Sequence, residues 1–176
     1  MVKRICVVGA GPKAAAIVAR SHVLAACGID VPEITVIEKS DIGAAWSGAH
    51  GLSNGYLTLC SPAEKDVGFP YSEIETTNGR SIARMLHADF SWQAYLVDVG
   101  RYSEWIDRGR DHPTHDVWSK YLTWVFESAG ISPVKAAVTV VSRRNDKWAV
   151  KFVDELGVEK EDEFNGVVLT GVGRPT

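Results

Sequence analysis

Residues 5–14, ICVVGAGPKA, join a short apolar run to a glycine-rich turn. The run Ile5–Val8 is rich in β-branched residues, which is typical of a strand buried on both faces of a parallel sheet. From Ala14 to Ala26 the composition favours a helix, and Gly28 follows where a helix would end. A second apolar run, Ile34–Glu38, ends in an acid. The order strand, helix, strand predicts a β-α-β unit.

The glycine-rich turn has the form G-x-G-x-x-G/A of a dinucleotide-binding fingerprint, with Gly9, Gly11 and Ala14 at its defining positions. Gly9 lets the chain turn off the strand, Gly11 lets a pyrophosphate approach the backbone, and Ala14 keeps the helix close to the sheet. Glu38 is placed to accept hydrogen bonds from a ribose diol, and an acid there disfavours NADP. NAD and FAD remain, while the alternative of a glycine turn without a ligand is disfavoured by this context.

Composition and charge narrow the class of protein. The chain has 176 residues, of which 45% are hydrophobic and 23% charged, and these values are ordinary for a globular domain. The net charge of −3 lacks the basic excess of a nucleic-acid binder. No apolar run approaches the ~18 residues of a membrane span, so we expect no membrane association. The three cysteines lack zinc-ligand spacing, so we expect no metal site and a reducing, cytoplasmic compartment.

The remainder of the chain predicts an α/β fold. Residues 40–71 are rich in glycine and aromatic residues and indicate an ordered functional loop. Helical segments follow at Ser81–Ala88, Ser91–Val99, Tyr102–Ile106 and His115–Ala129. Strand-like runs then occur at Val134–Ser142, Trp148–Asp154, Glu159–Phe164 and Gly166–Thr170. We therefore predict a Rossmann-like domain with a parallel sheet, inserted helices and a three-stranded antiparallel β-meander. A meander before a strand that ends in Thr170-Gly171 looks like the FAD domains of two-dinucleotide flavoproteins.

The long loop carries a closer resemblance. Its segment Ser61–Tyr71, SPAEKDVGFPY, resembles the flavin-proximal segment of the N-hydroxylating flavin monooxygenases. Residues 91–96, 104–110 and 113–115 look most like the mycobactin-pathway lysine N-hydroxylase branch. The resemblance implies noncovalent FAD, NADPH as co-substrate, O2, a neutral lysine-like amine as substrate, a role in siderophore or specialised metabolite biosynthesis, and an oligomeric enzyme.

The resemblance also implies site residues. By motif position, FAD contacts are expected from Gly9, Ala10, Gly11, Pro12, Lys13, Ala14, Glu38, Lys39, Trp46, Leu59 and Gly171. Lys65 matches the lysine of the family's Lys-Asp pair near the isoalloxazine and the amine, where a cation stabilises reduced anionic flavin or orients the substrate. On loop chemistry alone, a solvated Lys65 paired with Glu64 or Asp66 would be favoured. Cys60 stands where ornithine-type enzymes carry glutamine, and we expect a packed thiol there and not a redox site.

The family places a second Rossmann domain, for NADPH, after the Thr170-Gly171 strand. These residues contain no second glycine fingerprint, so we expect residues 1–176 to be the N-terminal part of the FAD-binding domain. The NADPH domain would then lie on a second polypeptide or on further sequence. It would dock on an exposed apolar patch around Val168 and Val172. The alternative hypothesis is a non-catalytic FAD-binding module that acts with or regulates a partner chain.

Overall fold

A computed structural model describes residues 2–71, 76–77 and 79–171. Within these residues the strands are β1 (Arg4–Val8), β2 (Glu33–Glu38), β3 (Thr76–Thr77), β4 (Arg80–Ser81), β5 (Val134–Arg144), β6 (Lys147–Asp154), β7 (Glu159–Phe164) and β8 (Gly166–Leu169). The helices are α1 (Pro12–Ala26), α2 (Ile82–Phe90), α3 (Trp92–Asp98), α4 (Tyr102–Asp107) and α5 (His115–Ser128), and a short 3-10 turn spans Ala63–Lys65. Val172, which belongs to the predicted docking patch, lies outside the described residues.

A six-stranded sheet in the order β7-β6-β5-β2-β1-β8 forms the centre of the fold. Strands β5, β2, β1 and β8 run parallel to their neighbours within this group. Strands β5, β6 and β7 form the antiparallel meander, with β7 at the edge. Val8 pairs with Ile37 on one side and with Leu169 on the other, so the carboxyl ends of three strands meet at one edge. The predicted α/β, Rossmann-like fold with its meander is confirmed.

Strand β1 is buried on both faces, as its run of apolar residues predicts. The side chain of Val7 packs into the cluster under helices α1, α2, α3 and α5, whereas Cys6 packs on the opposite face with Ile37, Val150 and Phe164. Both Cys6 and Val7 are fully buried. Burial raises the pKa of the Cys6 thiol to about 11, so this cysteine is an inert core residue.

Helix α1 begins two residues before the predicted Ala14, because Pro12 occupies its first turn, where the missing N–H of proline costs no hydrogen bond. Its carboxyl end matches the prediction. The helix ends at Ala26, and Gly28 takes the left-handed conformation with φ +78°. The unbranched alanine face that packs on the sheet includes the buried Ala14 and Ala15.

The inserted helices enclose an aromatic cluster. Trp92, Tyr95, Trp118, Tyr121 and Trp124 contact one another with ring centroids 4.9–6.2 Å apart. The fully buried Tyr121 donates its hydroxyl to the carbonyl of Phe90 over 2.8 Å, which joins α5 to the end of α2. Across the part of the chain that is described, no helix has the combination of length and apolar character needed to span a membrane.

Candidate functional site

The turn after β1 requires glycine at its first position. Gly9 has φ +97°, which L-residues with a side chain rarely adopt, and its N–H donates to the carbonyl of Ile37 over 2.8 Å. A Cβ atom at Gly9 would lie 2.6 Å from Oγ1 of Thr170. That hydroxyl donates to the carbonyl of Val8 over 2.8 Å and so ties the end of β8 to the end of β1. Gly9 is therefore demanded by the fold itself.

Gly11 differs from Gly9. It is the N-cap of α1 in an extended conformation with φ −92°, and no side chain caps the helix. The nearest atom to a Cβ at Gly11 is Cζ3 of Trp46, 4.0 Å away, so the protein alone leaves room for a side chain there. The first-turn N–H groups and the positive end of the helix dipole face this opening. The arrangement suits an anion such as a pyrophosphate.

Glu38 lies directly beside the glycine turn. Its Oε2 accepts a hydrogen bond from the backbone N–H of Ala10 and its Oε1 accepts one from that of Ser40, each over 2.8 Å. These two bonds hold the carboxylate in one orientation. Each oxygen keeps a lone pair with which it can accept from a hydroxyl group. The carboxylate is thus placed at the position where the fingerprint requires a ribose acceptor.

A cavity of about 400 Å³ opens at the carboxyl ends of β1, β2 and β8, where Rossmann folds bind their ligands. It is lined by Val8, Gly9, Ile37, Glu38, Lys39, Ala136, Ala137, Val138, Leu169 and Gly171. The structure thus brings together four of the predicted residues, namely Gly9, Glu38, Lys39 and Gly171. The segment Ala136–Val138 of β5 was missed by the sequence prediction, because small apolar residues in a meander carry no local sign of a pocket.

The long loop closes over the glycine turn. The N–H of Gly43 donates to the carbonyl of Ala10 over 3.0 Å, and the N–H of Trp46 donates to that of Gly43 over 2.8 Å. These bonds place the Trp46 ring against Gly11. Farther along, Nε2 of His50 lies 2.8 Å from Oδ2 of Asp41, so His50 is a hydrogen-bonded loop residue.

A second part of the loop is joined to the start of α5. The N–H of Leu59 donates to the carbonyl of Pro113 over 3.0 Å, and Nδ1 of His112 lies 2.8 Å from the carbonyl oxygen of Leu59. Leu59 is thus fixed in place, on a different segment from the cavity lining. Cys60, in contrast, is exposed. The expectation of a packed thiol is wrong, because the segment around Cys60 runs over the surface and its contacts are made by the backbone of Leu59.

Lys65 ends the 3-10 turn and its side chain is exposed. The next residue, Asp66, is buried, with 7% of its surface accessible. The carboxylate of Asp66 accepts hydrogen bonds from the hydroxyl of Tyr71 and from the backbone N–H of Trp92, and not from Lys65. Loop chemistry alone favours a pairing of Lys65 with Glu64 or Asp66. In the structure the Asp66 side chain instead faces inward, and the Lys65 side chain faces outward.

Burial raises the pKa of the Asp66 carboxyl to about 6, and the hydrogen bonds from Tyr71 and Trp92 only partly oppose the shift. Since the folded pKa lies above the ordinary value of 3.8, the folded protein takes up a proton between these values that the unfolded chain does not. The free energy of unfolding contributed by Asp66 therefore rises as the pH falls through 6.

We expect this effect in the difference between wild type and Asp66→Asn, because asparagine tolerates a positive φ and has no titration. The difference in free energy of unfolding should shift in favour of wild type by about 2 kcal/mol as the pH falls from about 7.5 to about 4.5. Urea unfolding at several pH values measures it. Exposed carboxylates titrate in both proteins and cancel. A difference that is independent of pH would show that Asp66 titrates normally.

Comparisons with known proteins add to this geometry. No family model matches the chain. The L-lysine N6-monooxygenase MbtG of Mycobacterium tuberculosis is 39% identical over 172 residues, which are 97% of this chain and 38% of the relative. The solved structure of the lysine monooxygenase NbtG from Nocardia farcinica, described for its NADPH domain conformation, superposes with a TM-score of 0.90 at 39% identity, over 97% of this chain and 43% of that one.

A more distant solved structure shares the fold alone. It is the FAD-bound cadaverine monooxygenase DfoA from Erwinia amylovora, which superposes with a TM-score of 0.65 at 14% identity and covers 97% of this chain and 36% of that one. The chain thus spans about two fifths of the length of the relatives that it matches.

Proposed function

Since this chain belongs to the N-hydroxylating flavin monooxygenases, on the branch of the mycobactin-pathway lysine enzymes, we propose that it is the FAD-binding portion of such an enzyme. The whole enzyme would use NADPH and O2 to hydroxylate the side-chain amine of lysine or a related amine. A role in siderophore or specialised metabolite biosynthesis is part of the same proposal.

One observation supports FAD binding above the others: the protein leaves open space beside Gly11 that a side chain could occupy. The protein alone leaves room for a side chain at this position, and this open space supports a ligand that approaches the start of α1. The cavity of about 400 Å³ is lined by Gly9 and by the immobilised carboxylate of Glu38, so it lies at the same turn of the chain. Pyrophosphate, ribose and an adjoining base-sized space are the parts that a dinucleotide requires.

Each predicted site residue has a role in this proposal. The N–H groups of the first turn of α1, among them those of Lys13 and Ala14, would hold the pyrophosphate, and Gly9, Ala10, Gly11 and Pro12 would form the turn beside it. Glu38 accepts from the ribose, Lys39 and Gly171 border the cavity, and Trp46 covers the approach to Gly11. When bound, FAD supplies the redox chemistry. Leu59 and the exposed cation of Lys65 lie on the loop proposed to face the flavin and the amine.

We also propose that residues 1–176 are the N-terminal part of the FAD-binding domain and that the NADPH domain is carried by a second polypeptide or by further sequence. The outer strand of the sheet supports a neighbour at this side. In β8, Val168 is 38% exposed and does not line the cavity, which is unusual for an apolar residue of a parallel strand.

The test begins with FAD binding. Purified protein titrated with FAD should bind one equivalent, with quenched flavin fluorescence and a perturbed visible spectrum. With the NADPH domain present, NADPH should bleach the flavin, and with lysine added the product should be N6-hydroxylysine. A protein that leaves the FAD spectrum unchanged would contradict the proposal. Flavin binding without bleaching in the complete assembly would favour a non-catalytic module.

A further inference from the structure

Asp66 is the one charged side chain that is buried within the described ranges 2–71 and 79–171. Burial of a carboxylate is unfavourable unless hydrogen bonds compensate for lost hydration. A neutral residue would avoid this cost. The contacts that the Asp66 carboxylate makes must therefore offset it.

The contacts of Asp66 connect three segments of the chain. Its Oδ2 accepts from the hydroxyl of Tyr71, at the end of the long loop, and its Oδ1 accepts from the N–H of Trp92, the first residue of α3. Its own N–H donates to the carbonyl of Ala63 over 2.8 Å and closes the 3-10 turn. The carboxylate thus attaches the turn of Lys65 to the aromatic core.

The backbone at Asp66 is strained. Its φ of 51° and ψ of −141° lie in a region that favours glycine. A non-glycine residue is strained there and persists only where the surroundings hold it. The reversal at Asp66 sends its own side chain inward while that of the preceding Lys65 faces outward. The two side-chain directions are therefore set together.

We propose that Asp66 is a positioning residue for Lys65: its buried carboxylate holds the turn so that the Lys65 ammonium is presented to the flavin and the amine. This inference rests on the proposed function, which places Lys65 at the flavin. A residue that only stabilised the fold would change the free energy of unfolding and leave the electrostatics at the flavin unaltered. The midpoint potential of bound flavin separates the two roles.

The direction in which the flavin midpoint potential shifts distinguishes positioning of Lys65 from a direct effect of the Asp66 charge. The Lys65 cation stabilises anionic reduced flavin, so Lys65→Met should shift the midpoint potential to a more negative value. Removal of the negative charge of Asp66 would, as a direct field effect, shift it to a more positive value. If Asp66 acts by holding Lys65, Asp66→Gly should instead shift it to a more negative value, by at least half of the Lys65→Met shift.

The experiment is a reductive titration of the purified, FAD-loaded protein with a reference dye at about pH 8, where Asp66 is ionised. Asp66→Gly relaxes the backbone and removes the carboxylate. Asp66→Asn is the matched control, because it keeps an acceptor and tolerates a positive φ, and it should show no negative shift. The double variant Lys65→Met/Asp66→Gly should be no more negative than Lys65→Met alone. Deuterium exchange of residues 63–69 without FAD should accelerate in Asp66→Gly and not in Lys65→Met.

Three results would overturn the inference: no shift in Lys65→Met, an unchanged or more positive potential in Asp66→Gly, or additive shifts in the double variant. If Asp66→Gly does not fold, Tyr71→Phe takes its place, since it removes one hydrogen bond to the carboxylate and leaves the backbone intact. It should shift the potential in the negative direction, and an unchanged value would be decisive against positioning. Failure of the wild-type protein to bind FAD would contradict the proposed function as well. Normal FAD binding with an unaltered midpoint potential in Asp66→Gly would contradict only the positioning role of Asp66.

Discussion

The Gly11→Ala variant should fold as wild type does and bind FAD at least ~100-fold more weakly. The extended backbone of Gly11 suits alanine, and the new Cβ would meet nothing closer than Trp46 Cζ3 at 4.0 Å. In the folded protein the substitution therefore changes little beyond the N-cap preference, which is worth about 1 kcal/mol. The methyl group would, however, occupy the space through which a pyrophosphate reaches the first turn of α1.

Isothermal titration with FAD and urea unfolding of the FAD-free protein measure the two sides of this prediction. Gly166→Ala is the matched control. Gly166 also lacks a positive φ, its added Cβ would contact only Ile5 at 3.7 Å, and it lies at the far end of β8 from the cavity. It should bind FAD with unchanged affinity. Equal affinity of Gly11→Ala and wild type for FAD would contradict the fingerprint as the pyrophosphate site.

The Gly9→Ala variant should lose stability, by about 3 kcal/mol, before any ligand is considered. Its φ of +97° is unfavourable for alanine, and the Cβ would lie 2.6 Å from Oγ1 of Thr170. Since that hydroxyl donates to the carbonyl of Val8, relief of the clash would break the bond that joins β8 to β1. The strain and the lost hydrogen bond add to an effect of this size.

Urea unfolding of the FAD-free protein gives the stability change, and a double-mutant cycle with Thr170→Ala identifies its cause. Thr170→Ala should destabilise the wild-type background by about 1 kcal/mol and the Gly9→Ala background by less, because it also removes the clash. A stability loss below ~1 kcal/mol in Gly9→Ala would show that the turn adapts to a side chain.

The contrast between Gly9 and Gly11 shows how much of the fold and of the site the sequence pattern predicts. The fingerprint assigns Gly9 to the turn and Gly11 to the ligand, and both assignments follow from local chemistry that is visible in ten residues. The central strands, α1, α5 and the meander are predicted in the same way. Each element buries one face, and the spacing of its apolar residues along the sequence reveals that face. Each element also ends at a glycine or a polar turn. Boundaries differ by one or two residues, as Pro12 in α1 illustrates.

The remaining features of the site, namely part of the cavity lining and the direction of the Asp66 side chain, were decided by long-range contacts. No pattern in residues 136–138 shows that they line the cavity, because the parallel pairing of β5 with β2 brings them there. Likewise, loop chemistry alone favours a solvated Lys65 paired with Glu64 or Asp66, whereas the Asp66 carboxylate accepts a hydrogen bond from Trp92, 26 residues away. Local periodicity is set by backbone geometry and survives in any fold of this class. The direction of a single side chain depends on which distant donor its loop meets, and only the folded chain determines that.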